Sequence, residues 1–592
     1  MTLSFRRFLT FFMFLSFGFV FLSAQSYAQN WNTRSNNGAN DAANRFSNER
    51  KMLDQEFSAE RVETKEVINI PQGQVDARHP IFKIIQSGGV DGVRFKNLNA
   101  LQNIYAQNDY RPIFLKSARR AQNDMNPYYE AFLDSWSHGF NPARYHTKTL
   151  YKFLSAEADV INDEDVLKAD VILADAVIRH GQDLTGSRIA PKKMGYHAPS
   201  INQGVVAEEI IEFVTASRDP KSAFDDMAPK GALYQLLKAE LIRLYEVPNG
   251  ATEYIDFKGL IKPRTNNPNI PKLRKRMGSR GDNLAQSETF YDDELASHVM
   301  AFQRANGLKD DGVIGPATAR VINISNTDKI KKILVNMERI RWEDQDKPDR
   351  YLLVNIPNEL LWAIDGGRIE VQMPVVVGRP ERATNAFNAK ITGVRINPTW
   401  TIPPTIKKED FATKLRRNAA YLDNRGIKVY KGGKAIRSSS VNWNNVSENQ
   451  LGAYTMVQGP GSTNPLGRYR VLMNNPYNIY LHDTPTKTYF ARANRALSSG
   501  CVRLEDAELI TDFILRKNPD WNEARKQEIL ESGEMTEVSA GESLPVYLQY
   551  KTVWLGDNDQ LVFGNDIYEE DRNLFNALRK QQDILLPEEI NL

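Results

Sequence analysis

The chain has 592 residues, long enough for three or four domains of ~150 residues each. Its 76 basic and 73 acidic residues leave a net charge of +3, so charge gives no reason to expect nucleic acid or another polyanion as a partner. With 41% hydrophobic and 25% charged residues, the composition is that of a folded globular protein and excludes a disordered chain.

Residues 1–28 have the pattern of an export signal. Arg6 and Arg7 precede an apolar run over residues 8–22, and Ser26-Tyr27-Ala28 provides a small-x-small cleavage site. The run is short for a membrane-spanning helix, which needs about 20 residues. We therefore expect a cleaved signal peptide and an exported protein of the periplasm or cell envelope. An uncleaved inner-membrane anchor is the alternative.

The next two segments show no chemistry. Residues 29–78 are polar with little apolar periodicity, which predicts a flexible linker. Residues 79–256 carry apolar side chains at helical spacing, as in 167–178 and 233–244. The histidines of this region lack metal-ligand spacing. We expect a helical scaffold or partner-binding domain.

Residues 257–323 predict a small separate module. Asp292 is expected to cap a helix that Gly307 ends. The sequence Ala301-Phe302-Gln303-Arg304-Ala305-Asn306-Gly307-Leu308, followed by Asp311-Gly312-Val313-Ile314-Gly315, resembles the three-helix peptidoglycan-binding domain of wall enzymes. The resemblance implies the fold. It leaves open whether the module binds the wall or serves as a spacer.

A β pattern over residues 350–565 follows a connecting helix predicted over 324–349. Short β-rich runs alternate with turns there, including a hairpin turn at Asp365-Gly366-Gly367. A charged insertion over 405–452 interrupts the strands, and we expect it to form a mobile lid over a neighbouring cleft. Residues 566–592 are assigned to a C-terminal tail.

Residues with visible chemistry lie near the last predicted strands. Cys501, the only cysteine of the chain, follows Ser499 and Gly500, and His482 comes directly after a strand predicted from Tyr477 to Leu481. A cysteine nucleophile needs a base to form the thiolate and backbone N–H groups to stabilise an oxyanion. His482 can be that base, and the amides around Gly500 can be those donors. On residue type alone, a small buried hydrophobic cysteine is the alternative.

The motif resembles a known family. His482, a spacer, and then Ser498-Ser499-Gly500-Cys501-Val502-Arg503 are similar to the signature of L,D-transpeptidases, whose catalytic domain is also called YkuD-like. The runs Val375-Val376-Val377-Gly378-Arg379-Pro380 and Asn397-Pro398-x-Trp400 resemble the family's strand and loop signatures. Because a helical block and a peptidoglycan-binding-like module come first, the chain most resembles the large YcbB-type enzymes.

Two residues depart from the family pattern. Ser499 stands where many relatives have histidine, so a second imidazole beside the thiol is missing. That position can still contribute its backbone N–H to an oxyanion hole. Asp483 stands where many relatives have glycine, and either its carboxylate or a backbone carbonyl can orient the His482 ring.

The resemblance implies a multidomain α+β fold, with a helical N-terminal scaffold, a small three-helix module and a β-rich catalytic domain with an inserted lid. It also implies a reaction without metal or cofactor. Cys501 attacks the amide before the terminal D-Ala of a tetrapeptide stem, and an amine of a second stem resolves the thioester, with His482 as acid and base. Carbapenems acylate enzymes of this family.

Further site residues and partners follow from the same resemblance. Tyr480, on the predicted strand of His482, together with Arg503 and Trp400, is expected to bind substrate; for Arg503, holding the cysteine loop is the alternative. The expected partners are donor tetrapeptide and acceptor diamino acid stems of peptidoglycan, with other cell-wall enzymes as further candidates. An L,D-carboxypeptidase, an enzyme that attaches proteins to the wall, and a non-catalytic peptidoglycan-binding scaffold are the alternative functions.

Overall fold

The computed structural model describes residues 79–157, 160–186, 188–196, 204–246, 253–279, 287–306, 308–345, 347–556 and 559–586. The predicted signal peptide, linker and helix end at Gly307 lie outside these residues. Within them, every helix is too short or too polar to cross a bilayer.

The N-terminal region is helical, as predicted. The long helix Asp163–Thr185 begins at a capping box, in which Asn162 and Asp165 each accept the other's backbone N–H. Asp170 of the same helix is buried and accepts three backbone N–H groups of the segment 113–115. The elements of this region are α1 (Pro80–Gln86), β1 (Gly89–Val90), β2 (Val93–Arg94), α2 (Leu98–Gln107), α3 (Ala118–Asp134), α4 (Thr147–Leu154), α5 (Asp163–Thr185), α6 (Ala207–Ala216), α7 (Pro220–Met227) and α8 (Ala232–Glu246).

Three short helices form the next module around their own apolar core. They are α9 (Ile270–Met277), α10 (Asp293–Ala305) and α11 (Pro316–Ile322). Asp292 caps α10 as predicted, because its side chain accepts the backbone N–H of Leu295 at 2.9 Å.

Helix α12 (Asn326–Trp342) packs between the helical region and the β-rich domain, and it is buried from Ile333 to its end. Glu338 and Arg341 are fully buried on it. Glu338 pairs with Arg188 of the helical region at 2.8 Å and with Arg341 at 3.3 Å. Burial opposes ionisation of Glu338, but Arg188 and Arg341 hold its pKa below the usual range.

The same helix is tied to the β-rich domain by polar contacts. The Asn336 side chain donates to Thr552 Oγ1 at 2.8 Å and accepts the Thr552 backbone N–H at 3.0 Å. Lys332 pairs at 3.1 Å with Asp571 of α17 (Glu570–Lys580), a helix within the segment assigned to a tail. Leu574 and Leu578 give α17 a buried face.

The β-rich domain is one nine-stranded sheet in the order β13-β5-β14-β12-β11-β6-β15-β3-β4. Because β4 also pairs with β5, eight of the strands close into a ring. The strands are β3 (Tyr351–Asn355), β4 (Leu360–Asp365), β5 (Arg368–Gly378), β6 (Phe387–Ile396), β11 (Tyr469–Met473), β12 (Leu481–His482), β13 (Ala496–Ser498), β14 (Val502–Leu504) and β15 (Thr536–Gln549). Helices α15 (Ala507–Leu515) and α16 (Glu523–Ser532) follow β14, and the hairpin β16 (Val553–Leu555) and β17 (Leu561–Phe563) follows β15.

The predicted charged insertion lies in a segment with a core of its own, which we call the lid and define as residues 400–458. Its sheet has the order β7-β10-β8-β9, formed by β7 (Trp400–Thr401), β8 (Ile427–Lys431), β9 (Lys434–Ile436) and β10 (Tyr454–Gln458). Helices α13 (Pro404–Ile406) and α14 (Ala412–Arg417) flank a π-helical turn at Lys407–Phe411.

The buried ion cluster of α12 generates a stability prediction. Glu338→Gln removes the carboxylate that neutralises two buried guanidinium groups, so the free energy of unfolding should fall by about 3–5 kcal/mol. Glu528→Gln is the matched control, because its ion pair with Arg525 is exposed and should contribute less than about 1 kcal/mol. Chemical denaturation of both variants measures the difference. Equal losses in the two would contradict the assigned role of Glu338.

Candidate active site

The loop before Cys501 is held in a tight conformation. Gly500 has a φ of +111°, in the region that favours glycine. Ser498 Oγ accepts the Gly500 N–H at 3.1 Å and donates to the Cys501 carbonyl at 2.6 Å. Thr384 Oγ1 donates to the Gly500 carbonyl at 2.7 Å. The N–H and the carbonyl of Gly500 are therefore both hydrogen-bonded.

These contacts decide which amides remain available. The Gly500 N–H, one of the predicted oxyanion donors, is taken by Ser498 Oγ. Within the described part of the chain, the N–H groups of Ser499 and Cys501 have no acceptor. The free donors of this loop are therefore those on either side of Gly500.

His482 lies in a row of opposed residues that crosses the sheet. Arg470 of β11 is opposite His482, and His482 is opposite Arg503 of the parallel strand β14. On the far side, Arg395 of β6 is opposite Arg470, and Glu537 is opposite Arg395. Since directly opposed residues project from the same face, His482 is flanked by arginines on both sides.

The His482 ring is held by a backbone carbonyl. Its Nδ1 is 2.5 Å from the carbonyl oxygen of Asp483, so Nδ1 carries the proton and Nε2 is the free acceptor. Burial lowers the pKa of His482 to about 4, and the positive charge of Arg503 acts in the same direction. The imidazole is therefore neutral at neutral pH.

The Asp483 carboxylate points elsewhere. Its oxygens accept the Arg468 N–H at 2.8 Å and pair with Lys487 at 2.8 Å. Gly467 makes room for it, since a Cβ there would lie 2.2 Å from Asp483 Oδ2. The structure thus answers the question left open by the sequence, because the main chain of Asp483 orients the ring.

Cys501 is half-buried. Burial raises the pKa of the Cys501 thiol, whereas a hydrogen bond from the Tyr480 main chain and the charges of Arg470 and Arg503 oppose the rise. The thiolate is therefore scarce in the resting protein, but the groups that would stabilise it are already in position.

Arg470 and Arg503 are cations without a counter-charge in the part of the chain that the structure describes. The Nε atom of each is buried and has no hydrogen-bond partner there. Arg470 stacks 3.8 Å over the Tyr480 ring, and Arg503 lies 5.6 Å from the Tyr489 ring centroid. Sequence analysis missed Arg470, because its place beside His482 depends on the register between β11 and β12.

One strand prediction is wrong. Tyr480 was expected on the strand of His482, but β12 contains only Leu481 and His482. The segment before it is irregular because the Asn475 side chain accepts the N–H groups of Tyr477 and Ile479 at 3.1 Å, which replaces strand pairing. Tyr480 still lies beside Cys501 and Arg470.

The other predicted site residues divide into two groups. Ser499, Gly500, Cys501, His482 and Arg503 belong to the sheet and the loop described above, and Tyr480 belongs to the irregular segment before β12. Trp400 belongs to the lid, where it pairs with β10 and its ring packs 6.2 Å from Phe411. Its expected contact with substrate stays a prediction.

Together, Cys501, the neutral His482 and the free backbone N–H groups of Ser499 and Cys501 form one candidate active site on the closed β-sheet. Three family models match the chain: "L,D-transpeptidase catalytic domain" (YkuD) over residues 349–525, "Scaffold domain" over 99–241 and "Putative peptidoglycan binding domain" over 266–322. The chain therefore carries a YkuD L,D-transpeptidase catalytic domain together with a scaffold domain and a peptidoglycan-binding domain.

Individual relatives agree with this. A protein of Haemophilus influenzae named "Putative L,D-transpeptidase" is 32% identical over 247 residues, which cover 41% of this chain. The match spans about half of that curated relative, 49% of its length. The L,D-transpeptidase catalytic domain and the peptidoglycan-binding domain of this chain indicate a location in the cell envelope.

Solved structures give weaker likenesses. L,D-transpeptidase 3 from Mycobacterium tuberculosis is 14% identical, with a TM-score of 0.18, over 34% of this chain and 61% of that one. An L,D-transpeptidase from Xylanimonas cellulosilytica is 12% identical, with a TM-score of 0.18, over 50% of this chain and 100% of that one. Superpositions this weak define neither the fold nor the activity.

The contacts of Asp483 generate a prediction about thiol reactivity. Asp483→Asn should leave the rate and pH profile of Cys501 alkylation by iodoacetamide within about twofold of the unmodified protein, because the backbone carbonyl still orients His482. His482→Gln should instead shift the profile towards that of a free thiol, whose pKa is ~8.5. A profile for Asp483→Asn that matches His482→Gln would show that the carboxylate orients the ring.

Proposed function

We propose that this protein is a peptidoglycan L,D-transpeptidase with Cys501 as nucleophile and His482 as general acid and base. The Cys501 sulfur attacks the carbonyl of the diamino acid in a donor tetrapeptide, and a thioester forms as the bond to the terminal D-Ala breaks. D-Ala leaves as an amine that takes a proton from His482. An amine of an acceptor stem then attacks the thioester, regenerates the thiol and completes a cross-link.

The observation that carries this proposal is the pairing of β12 with β14. In that register His482 is opposite Arg503, and Cys501 comes two residues before Arg503. Cys501 lies directly before β14, and the charges of Arg470 and Arg503 act on both its thiol and the His482 imidazole, so the two groups share one neighbourhood. The low pKa of His482 keeps Nε2 unprotonated at neutral pH, so the ring is in the form that can accept the thiol proton.

Two further features support acyl transfer at this site. The unengaged N–H groups of Ser499 and Cys501 are suitable donors for the oxyanion, while Gly500 provides the backbone conformation that the loop requires. Arg470 and Arg503 supply positive charge near the sulfur, which stabilises a developing thiolate and suits a substrate with carboxylates.

The proposal includes a location and a set of partners. Residues 1–28 would direct export, so that the enzyme acts on stem peptides in the periplasm. The three-helix module of α9 to α11 would hold the enzyme on the wall, and the scaffold domain would contact other wall enzymes. Incubation with purified disaccharide-tetrapeptides, followed by mass spectrometry, tests the reaction. Cross-linked dimers support a transpeptidase, and tripeptides without dimers would show a carboxypeptidase instead.

The first prediction from this mechanism concerns the nucleophile. Cys501→Ala should abolish cross-linking and leave the circular dichroism spectrum unchanged, because it removes one sulfur atom from a half-buried position. The unmodified protein should gain the mass of one carbapenem, a β-lactam that acylates this enzyme family, and the variant should gain none. Equal adduct yields in intact-protein mass spectra would overturn the assignment of Cys501.

The second prediction concerns pH. A histidine with a pKa of about 4 keeps its base form as pH falls from 7 and loses it near 4, whereas an ordinary histidine loses it near ~6.5. The rate of carbapenem acylation should therefore reach half its plateau near pH 4. His482→Gln should lower the plateau by about 10²–10⁴-fold. A midpoint near 6.5 in the unmodified protein would contradict the neutral, buried state of His482.

A further inference from the structure

Arg382 lies where three parts of the molecule meet. It ends the 3₁₀ turn Pro380–Arg382 that follows β5, and its side chain is only 7% exposed. Ser499 of the nucleophile loop contacts this side chain, and so do Glu409 and Asp410 of the lid.

All five N–H groups of the guanidinium have acceptors. Nε donates to Glu409 at 2.8 Å, and Nη2 donates to Asp410 at 3.0 Å and also to Glu409. Nη1 donates to Asp410 at 2.8 Å and to Ser499 Oγ at 2.9 Å. A guanidinium is planar and rigid, so the two lid carboxylates fix the direction in which it donates to Ser499.

The turn that carries Arg382 is hydrogen-bonded to the nucleophile loop by one residue before Arg382 and one residue after it. The Arg379 N–H donates to the Ser498 carbonyl at 3.0 Å, and Thr384 Oγ1 donates to the Gly500 carbonyl. Gly378 allows the turn to fold back tightly on the end of β5, because a Cβ there would lie 2.2 Å from the Arg382 carbonyl oxygen. The turn and the loop therefore form one packed unit.

The carboxylates of Glu409 and Asp410 are fixed to the lid. Glu409 and Asp410 lie in the π-helical turn Lys407–Phe411. Phe411 is part of the lid core, and the buried Lys407 ammonium donates to the Tyr454 carbonyl at 2.8 Å. A displacement of the lid would therefore carry both carboxylates away from Arg382.

We propose that Arg382 is a positioning residue that couples the seating of the lid to the geometry of the Ser499–Cys501 loop. With the lid seated, Glu409 and Asp410 hold the guanidinium against Ser499 Oγ, which fixes the orientation of the Ser499 peptide and its free N–H. With the lid displaced, Arg382 loses both carboxylates and its donation to Ser499 Oγ is no longer fixed, which leaves Ser499 Oγ with the longer bond from Arg379 Nη1 at 3.3 Å. The proposal rests on the proposed function, since its consequence is a better oxyanion site when the lid covers the donor stem.

A double-mutant cycle in the full chain tests the coupling. One arm is Glu409→Ala together with Asp410→Ala, the other is Ser499→Ala, and the third protein combines them. Two rates are measured for each: acylation of Cys501 by a carbapenem, which needs an oxyanion site, and alkylation by iodoacetamide, which does not. Glu448→Ala is the matched control, because it removes the other lid carboxylate in an ion pair, with Lys408, without touching Arg382.

The coupling predicts non-additive effects. Each arm should slow acylation about tenfold, less than the 10²–10³-fold lost when an oxyanion donor itself is removed. The combined variant should be no slower than the slower arm, and alkylation should stay within about twofold throughout. Arg382→Gln should match the combined variant, and Arg382→Lys, which keeps the charge but not the fork of donors, should recover only part of the rate.

Three results would overturn the proposal. The first is an unchanged acylation rate after loss of both lid carboxylates. The second is a combined variant whose acylation slows by the product of the two single effects. The third is a Glu448→Ala variant that loses as much acylation rate as the variant without Glu409 and Asp410. A parallel loss of alkylation would also overturn it, because the defect would then lie in the thiol or the fold. A failure of the proposed function can be distinguished from these results, because the unmodified protein itself would then form no carbapenem adduct at Cys501.

Discussion

The domains of this protein depend on one buried charge cluster. Glu338 and Arg341 of helix α12 are fully buried, and Arg188 of the helical region joins them. A single carboxylate with two guanidinium groups is stable only if all three keep their geometry, because an unpaired charge inside a protein is costly. Since α12 also contacts Thr552 and Asp571 of the β-rich domain, the helical region and the sheet are held together as one unit.

The active-site face of the sheet carries partly buried positive charge that no carboxylate of the described residues neutralises. In the α12 cluster two guanidinium groups share the Glu338 carboxylate, whereas Arg470 and Arg503 beside His482 have buried Nε atoms without partners in the described residues. The strand register makes this arrangement unavoidable, because Arg470, His482 and Arg503 are directly opposed on three neighbouring strands. Positive charge therefore lowers the pKa of the imidazole and opposes the rise that burial causes in the thiol.

Local patterns in the sequence predict the parts that depend on local chemistry. The Gly366-Gly367 turn, the Asp292 cap and the motif around Cys501 need only neighbouring residues. The parts that the sequence could not predict depend on distant ones. Arg382 contacts residues 27 and 117 positions away, and the irregular path before β12 is set by the Asn475 side chain, where β-forming residues suggested a strand. The sequence also left open which group of Asp483 faces His482, since that depends on Arg468 and Lys487.

The closed ring of strands has a consequence for association between copies of the chain. An open sheet edge is a template for pairing with another chain, and a protein with one cysteine has no internal disulfide to restrain such pairing. Here eight strands of the catalytic sheet leave one another no long free edge, and the extra strand β13 is three residues long. In the lid, the edge strand β9 is also short and begins with Lys434, a residue that discourages edge-to-edge association. The fold thus limits aggregation by topology and without covalent cross-links.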